Sequence, residues 1–442
     1  MQLPDYVAGI LAVLKGQGYQ AYLVGGCVRD LLLDREPSDY DVVTSAPPAA
    51  ISTLFPRTVP LGARYGTIAV ITAGGVVEVS TWKSRYHSSL PGLTGIEADL
   101  FWRDFTINAM AMDDSGAVID PFGGLRDLEG KTIACPAHQA AQRFRDDPLR
   151  MVRAIRLSCN LGFTLHPTVT DAIIAEAPLL PRVAVERIRS ELDLILLAKL
   201  PAQGVRALAA TGLLTYILPE LIPLLDFDQK SPRHDKDLFE HTLAVLEIVP
   251  PRLTLRLAAL LHDVGKPVCF TMGPEGRGHF YNHHLEGSRM AAVILQRLKY
   301  DHQTITVVVQ LIYGHMSRFP KVRRESLKKL IGRVGEENLS DLFALQRADI
   351  LGSAPPFDTS LLDAMEKEVG DILAVRPPLY RKDLAVDGHD LITLGFEPGP
   401  GIGQMLERLL EVVLERPEMN QAQILLEKAR EYQSERGEVL KK

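Results

Sequence analysis

Gly25-Gly26-Cys27-Val28-Arg29-Asp30, followed by Asp39-Tyr40-Asp41 at the mouth of the apolar run Val42-Val43, is the stretch on which the reading of this chain turns. QAYLVGG and DYDVVTS read as strands, and GCVRDLLL between them reads as a helix. A Gly-Gly turn lets backbone approach a ligand closely, and the helix that follows offers free amides to an anion. Arg29 adds a guanidinium fork suited to phosphate. On a strand, residues two apart project to one face, so Asp39 and Asp41 are expected to aim both carboxylates at one spot. Such a pair repels itself unless a cation neutralises it, and hard oxygen ligands suit magnesium. Each piece alone is a common turn or a solvated acidic loop. Strand, Gly-Gly turn, helix, then DxD opening a strand is a far more restrictive order.

Farther along, GTIAVIT and GVVEVST also read as strands, and Glu78 in the latter is a candidate third carboxylate. From about Ala141 the strand signal fades into long helical patterns: DPLRMVRAIRLSCNLGF, VERIRSELDLILLAKL and LRLAALLHDVGK. Breaks are expected in LPELIPLLDFDQKSPRHDK, SAPPFD and AVRPPLYRKD. The opening residues read as an amphipathic helix burying Ile10, Leu11, Val13 and Leu14. A chain of 442 residues exceeds one core. No long uncharged apolar run is present, so no membrane partner is expected. Cys27, Cys135, Cys159 and Cys269 form no CxxC pair, which fits a reducing, cytoplasmic setting. The net charge of −6 confines any nucleic-acid site to a local basic surface.

The layout of turn, helix and DxD matches the polymerase-beta-like nucleotidyltransferase superfamily. RDFTINAMAMD (103–113), DPFGGLRDLEGK (120–131) and RFRDDPLRMVRAIRLSCNLGF (143–163) then follow in order. Together they closely resemble class II CCA-adding enzymes and bacterial poly(A) polymerases, essentially end to end. The resemblance implies an α+β fold: a nucleotidyltransferase head, then an all-helical neck, HD domain and tail. It implies that Asp39 and Asp41 hold Mg2+, that Gly26 and Arg29 meet the triphosphate, and that Arg103 and Asp104 meet the ribose. Asp147 and Arg150 would present an amino-acid template to the base of CTP or ATP, with Arg153 and Arg156 completing the site. On a helix, residues 147, 150, 153 and 156 recur at i, i+3 and form one stripe. Four arginines against two aspartates in 145–156 make that segment net positive.

Three departures bear on specificity. Asp146-Asp147 stands where the family usually reads Glu-Asp, and Trp102 stands where it usually has an arginine. The Lys83–Asp99 segment is shorter than in many full CCA-adding relatives, and in this family a reduced loop goes with addition of C residues only. Full CCA, CC-only and A-only addition all remain open, with poly(A) polymerase as the nearest rival; GARYGTIAV (62–70) resembles the CCA-adding version. A second constellation, His241, His262-Asp263 and Asp349, with LLHDVGK, resembles HD-domain metal phosphohydrolases. The resemblance implies a divalent metal of unknown identity there, with His284 and His315 as further ligands and a phosphohydrolase as an alternative main activity. The tail, with Gly395, Pro398, Gly399, Pro400, Gly401 and Gly403, also resembles this family. Its glycine turn leads into a helix that could meet tRNA phosphate, as could Lys321-Arg323-Arg324 and Lys328-Lys329. The expected divisions are 1–140 head, 141–225 neck, 226–355 HD domain and 356–442 RNA-binding tail, with tRNA, CTP and ATP as partners.

Overall fold

The computed structural model describes residues 3–62, 66–82, 93, 95–230, 236–273, 276–317 and 323–439. Readings that rest on residues 63–65 of the 62–70 motif, on 83–92 and 94 of the short loop, on 231–235 of one break and on Lys321 lie outside the described residues. The chain separates into two compact units, Met1–Pro219 and Glu220–Lys442.

The first unit carries a seven-stranded sheet built from β1 (Ala21–Val24), β2 (Asp41–Thr44), β3 (Thr58–Gly62), β4 (Thr67–Ile71), β5 (Val76–Thr81), β6 (Ala111–Met112) and β7 (Val118–Ile119), in the order β3-β4-β5-β2-β1-β6-β7. The four strands expected from the sequence are β1, β2, β4 and β5. β3, whose Thr-Val-Pro-Leu-Gly carries a proline, is an additional edge strand. β1 runs antiparallel to β2, while β2 and β5 run parallel with Asp41 opposite Glu78. The Gly25-Gly26 turn leaving β1 and the carboxylates entering β2 therefore share one end of the sheet.

The Asp5–Gly16 helix buries Val7, Ile10, Leu11 and Leu14. Val13 was expected on that face but is 41% exposed. Residues 7, 10, 11 and 14 follow the i, i+3, i+4, i+7 stripe, and 13 falls off it. Beyond the sheet the unit is helical: Leu149–Leu161, Pro167–Glu176, Val185–Leu196 and Pro201–Ala210 are its main helices. β8 (Thr132–Ile133) pairs in parallel with β9 (Thr164–Leu165), which stitches the end of the sheet region to the helices after it.

Among its described residues the second unit is almost wholly helical, apart from the antiparallel strands Phe270–Met272 and Gly278–Phe280. Its last part packs Val386, Leu391, Met405, Leu409, Val413, Leu425 and Ala429 into a separate apolar cluster. Gly399 precedes the Pro400–Glu415 helix with Pro400 at its first position, the helix start read from the sequence. Among the described residues, no helix is long and apolar enough to cross a membrane.

Gly124, from the DPFGGL motif, tests how tightly the head is packed. A side chain there would overlap the Thr106 carbonyl oxygen and lie 2.7 Å from Met110 Cγ. Gly124→Ala should lower stability by about 1–3 kcal/mol, read as a shift in urea midpoint. An unchanged midpoint would mean this contact yields freely.

Candidate active site

The metal-ligating candidates of the head meet at the sheet end. Asp41 opens β2, while Asp39 lies in the bend before it and is exposed, so one carboxylate is strand-held and the other loop-held. Glu78, directly across from Asp41, supplies the third. The Asp41 carboxyl is pushed up to about 6: burial raises it first, Arg103 opposes, and Asp39 and Glu78 raise it further. Two further carboxylates beside Asp41 fit a cation, which would relieve the repulsion on it. Gly25 adopts φ +80°, and a side chain there would put its first carbon 2.8 Å from Arg103 Nη1 and 3.7 Å from Asp41 Oδ2. Glycine is required on both counts.

Beside this edge lies a cavity of about 350 Å³ lined by Val43, Thr67, Ser80, Thr81 and Asp99, and by Trp102, Arg103, Asp104, Arg150 and Arg153. Of its arginines, Arg103 pairs with Asp99, Arg150 donates to the Trp102 carbonyl, and Arg153 belongs to a continuous polar chain. Arg29 donates to both oxygens of Asp30 at 2.9 Å and, through Nη1, to Asn108 Oδ1 at 2.9 Å. Asn108 Nδ2 donates to Asp104 Oδ1 at 3.1 Å, and Arg153 Nη1 donates to Asp104 Oδ2 at 3.1 Å. Arg153 Nε continues to Glu191, which also takes Arg156 Nε at 2.6 Å. Burial works to raise the Asp104 carboxyl, but Arg153 and Asn108 hold it below the usual carboxylate range.

The expected stripe is not one continuous helix. Asp147 closes the Ala140–Asp146 helix in extended backbone, φ −148° and ψ 98°, and the next helix begins at Leu149. Pro148 is the cause, because the residue before proline is driven out of the helical region. The Asp147 carboxylate instead accepts from the Leu149 amide and pairs with Arg187. Arg150 and Arg153 line the cavity; Asp147 and Arg156 flank their own partners outside its lining.

Sequence reasoning missed Arg143, Asn108 and Glu191. Arg143 is fully buried, donates through Nη2 to the Phe101 carbonyl at 2.6 Å, and sits 4.5 Å and 4.8 Å from the ring centres of Phe101 and Trp102. Burial, then Arg150, draws its pKa below the usual arginine value. The sequence carries no signal for its burial: in AAQRFRD, Arg143 stands among Gln142, Arg145 and Asp146. Trp102 lines the cavity directly above that cation.

The second unit brings the remaining candidates together. His241, His262 and Asp263 form one group whose donor atoms lie within 4.8 Å of each other; Asp263, His283 and His315 form another. Asp349 joins the first group, with Oδ1 3.1 Å from His241 Nε2. His315, one of the two possible extra ligands, lies in the second group. The other is His283 rather than His284, which packs edge-on to Tyr313 instead. As the first residue of its helix, His283 turns inward while its neighbour, one step around, turns away. Burial opposes the charge on Asp263, yet His262, Lys266 and His283 hold its carboxyl well below the usual range. Burial first, then His262, pushes His315 down to about 3.

Known proteins match three stretches of the chain. Residues 21–134 match the poly(A) polymerase head domain, 162–225 the RNA- and SrmB-binding site of polymerase A, and 283–429 the tRNA nucleotidyltransferase domain 2. The CCA-adding enzyme of Anoxybacillus flavithermus is 31% identical over 95% of this chain and 94% of its own, and that of Limosilactobacillus reuteri 32% over 96% of each. The chain belongs to the CCA-adding enzyme family. The Geobacillus kaustophilus CCA-adding enzyme is 42% identical, but the match spans 48% of this chain and 54%, about half, of that one. A Bacillus stearothermophilus CCA-adding enzyme solved with CTP superposes with a TM-score of 0.72 at 29% identity, covering 99% of this chain and 100% of that one. The Thermotoga maritima CCA-adding enzyme solved with tRNA shares the fold, with a TM-score of 0.58 at 20% identity over 98% of this chain and 96% of that one.

In this CCA-adding family member the Asp41 carboxyl should titrate above the usual carboxylate range. In the metal-free protein, carbon-13 NMR should find an aspartate titrating near 6, and Asp39→Asn should lower that midpoint by removing a negative neighbour. Because protons and cations compete for Asp41, Mg2+ should bind more weakly as pH falls through 6. A midpoint indifferent to Asp39→Asn would show that the two carboxylates do not share a site.

Proposed function

We propose that this chain is a template-independent tRNA nucleotidyltransferase that builds all or part of the 3′ CCA end from CTP and ATP. The observation that carries the reading is the register of Asp41 with Glu78 beside an arginine-lined cavity. In the reaction the RNA 3′-hydroxyl oxygen bonds to the α-phosphorus of CTP or ATP, and the bond to the β-phosphate oxygen breaks, releasing pyrophosphate. Mg2+ held by Asp39 and Asp41, with Glu78 as third carboxylate, would supply hydroxyl activation and neutralise charge on the departing group.

The chain's own residues do the rest. Gly25 and Gly26 let the triphosphate come close to backbone, and Arg103 beside them offers it a cation. Arg29 is committed to Asp30 and Asn108, so we assign it to fixing the turn as much as to touching phosphate. Asp104 and Arg153 orient the sugar, and Arg150 donates to the base edge. Asp147 would complete base selection by accepting from the exocyclic amine that C and A share, and Arg156 would steady that wall through Glu191. The helical second unit would carry the tRNA body by shape and phosphate contacts. Lys328 and Lys329 contribute less than their charge suggests, since one donates to the Leu414 carbonyl and the other lies 3.8 Å from Glu415. We place the head at 1–140, the neck at 141–225, the HD domain at 226–355 and the tail at 356–442, in a cytoplasmic protein with its four cysteines reduced.

A second activity, metal-dependent phosphohydrolysis, is favoured by the buried histidine and aspartate cluster around His262 and Asp263. Labelled CTP and ATP offered to tRNA ending before CCA, after C and after CC separates the readings. Ordered addition of C, C and A is expected of a full CCA-adding enzyme. A stop after CC, or activity with ATP alone on the CC end, assigns half the task. Asp39→Ala with Asp41→Ala should cut incorporation by about a thousandfold or more, as loss of several kcal/mol of charge stabilisation implies. Undiminished incorporation would overturn the proposal.

A further inference from the structure

We propose that Trp102 is the stacking surface for the base of the incoming nucleotide, and that Arg143 is the positioning residue that fixes its ring. This rests on the nucleotidyltransferase reading and adds a contact with the face of the base to those with its edge. The first observation is the make-up of the cavity wall. Of the described residues that line it, only Val43 and Trp102 are apolar; the rest carry a charge or a hydroxyl. Such a wall holds phosphates and sugar, but a flat base needs an apolar face to lie on. Trp102 offers the one aromatic ring among those residues.

The second observation is how firmly that ring is held. The Trp102 amide donates to the Asp99 carbonyl at 3.2 Å, and the Phe101 ring meets the indole edge-on at 5.4 Å. Arg143 Cζ lies over the indole, 4.8 Å from its centre. Arg143 is fully buried, and among the described residues it forms no ion pair. Its Nη2 donates to the Phe101 carbonyl, while Nε and Nη1 meet no acceptor. A buried cation without a counter-ion is costly, and here the electron-rich rings of Phe101 and Trp102 answer it. That cost secures an aromatic surface that is only half-buried and borders the cavity.

The third observation joins ring and edge. Arg150 Nη2 donates to the Trp102 carbonyl at 3.3 Å, whereas its Nη1, shielded from water, meets no acceptor. A base lying on the indole would bring a ring nitrogen or carbonyl oxygen to that donor. Stacking tolerates any base, since each has a π face, and a purine covers more of the ring than a pyrimidine. Trp102 therefore strengthens binding of both nucleotides, ATP more than CTP, and leaves selection by edge to Arg150 and Asp147.

The test is calorimetric titration of the full chain in Mg2+ with ATP, CTP and tripolyphosphate, the last an anion without a base. Trp102→Leu should weaken ATP about tenfold, the loss a missing base–aromatic stack brings, and leave tripolyphosphate within about twofold. Trp102→Phe should recover most of that loss. If Trp102→Leu does not fold by circular dichroism, Trp102→Met gives the same reading. Arg143→Lys should weaken ATP in the otherwise unaltered protein but not alongside Trp102→Leu; equal losses in both would overturn the positioning role. Unchanged ATP affinity in Trp102→Leu, or an equal loss of tripolyphosphate, would overturn the stacking surface. Failure of the unaltered protein to bind either nucleotide would instead overturn the nucleotidyltransferase reading beneath it.

Discussion

The ion pair between Asp104 and Arg153 is the constraint on which the first unit turns. Asp104 follows the Gly95–Phe101 helix and Arg153 belongs to the Leu149–Leu161 helix, so their contact joins two separate parts of the cavity wall. A buried charge left without its partner costs several kcal/mol, whereas the satisfied network is rigid. The chain from Asp30 through Arg29, Asn108, Asp104, Arg153 and Glu191 to Arg156 therefore serves position before it serves binding. Arg153 reaches the cavity already oriented, having lost its rotamer freedom on folding rather than when a nucleotide arrives.

Much of this was legible before any coordinates. Strand alternation located β1, β2, β4 and β5, and the Gly-Gly turn with DxD located the working end of the sheet. Errors arose where local pattern competes with a neighbour. Val13 belongs to an apolar run, but helical phase assigns the buried place to Val7. Asp147 has the spacing of a stripe, but the following proline breaks the helix beneath it. His283 and His284 are chemically identical on paper, and only the start of a helix decides which turns inward. Arg143 and Glu191 stayed hidden because a buried ion has no one-dimensional signature; its partners lie dozens of residues away.

The two units solve charge repulsion in opposite ways. At the sheet end Asp39 and Glu78 stay exposed, and Asp41 yields part of its ionisation first to burial and then to the two of them. In the helical unit the carboxylate of Asp263 is sealed among imidazoles and an ammonium, and keeps its charge through proximity to Lys266 and His262. The open arrangement suits ions that come and go with a nucleotide.

The stacking of Arg143 beneath Trp102 reaches into optics. The chain has two tryptophans, Trp82 and Trp102, and the latter forms part of the cavity wall with a buried guanidinium against its ring. An indole so placed feels a strong fixed field whose balance shifts when a polyanion enters the cavity. The pocket thus carries its own chromophore, and ultraviolet emission can follow its filling without any label.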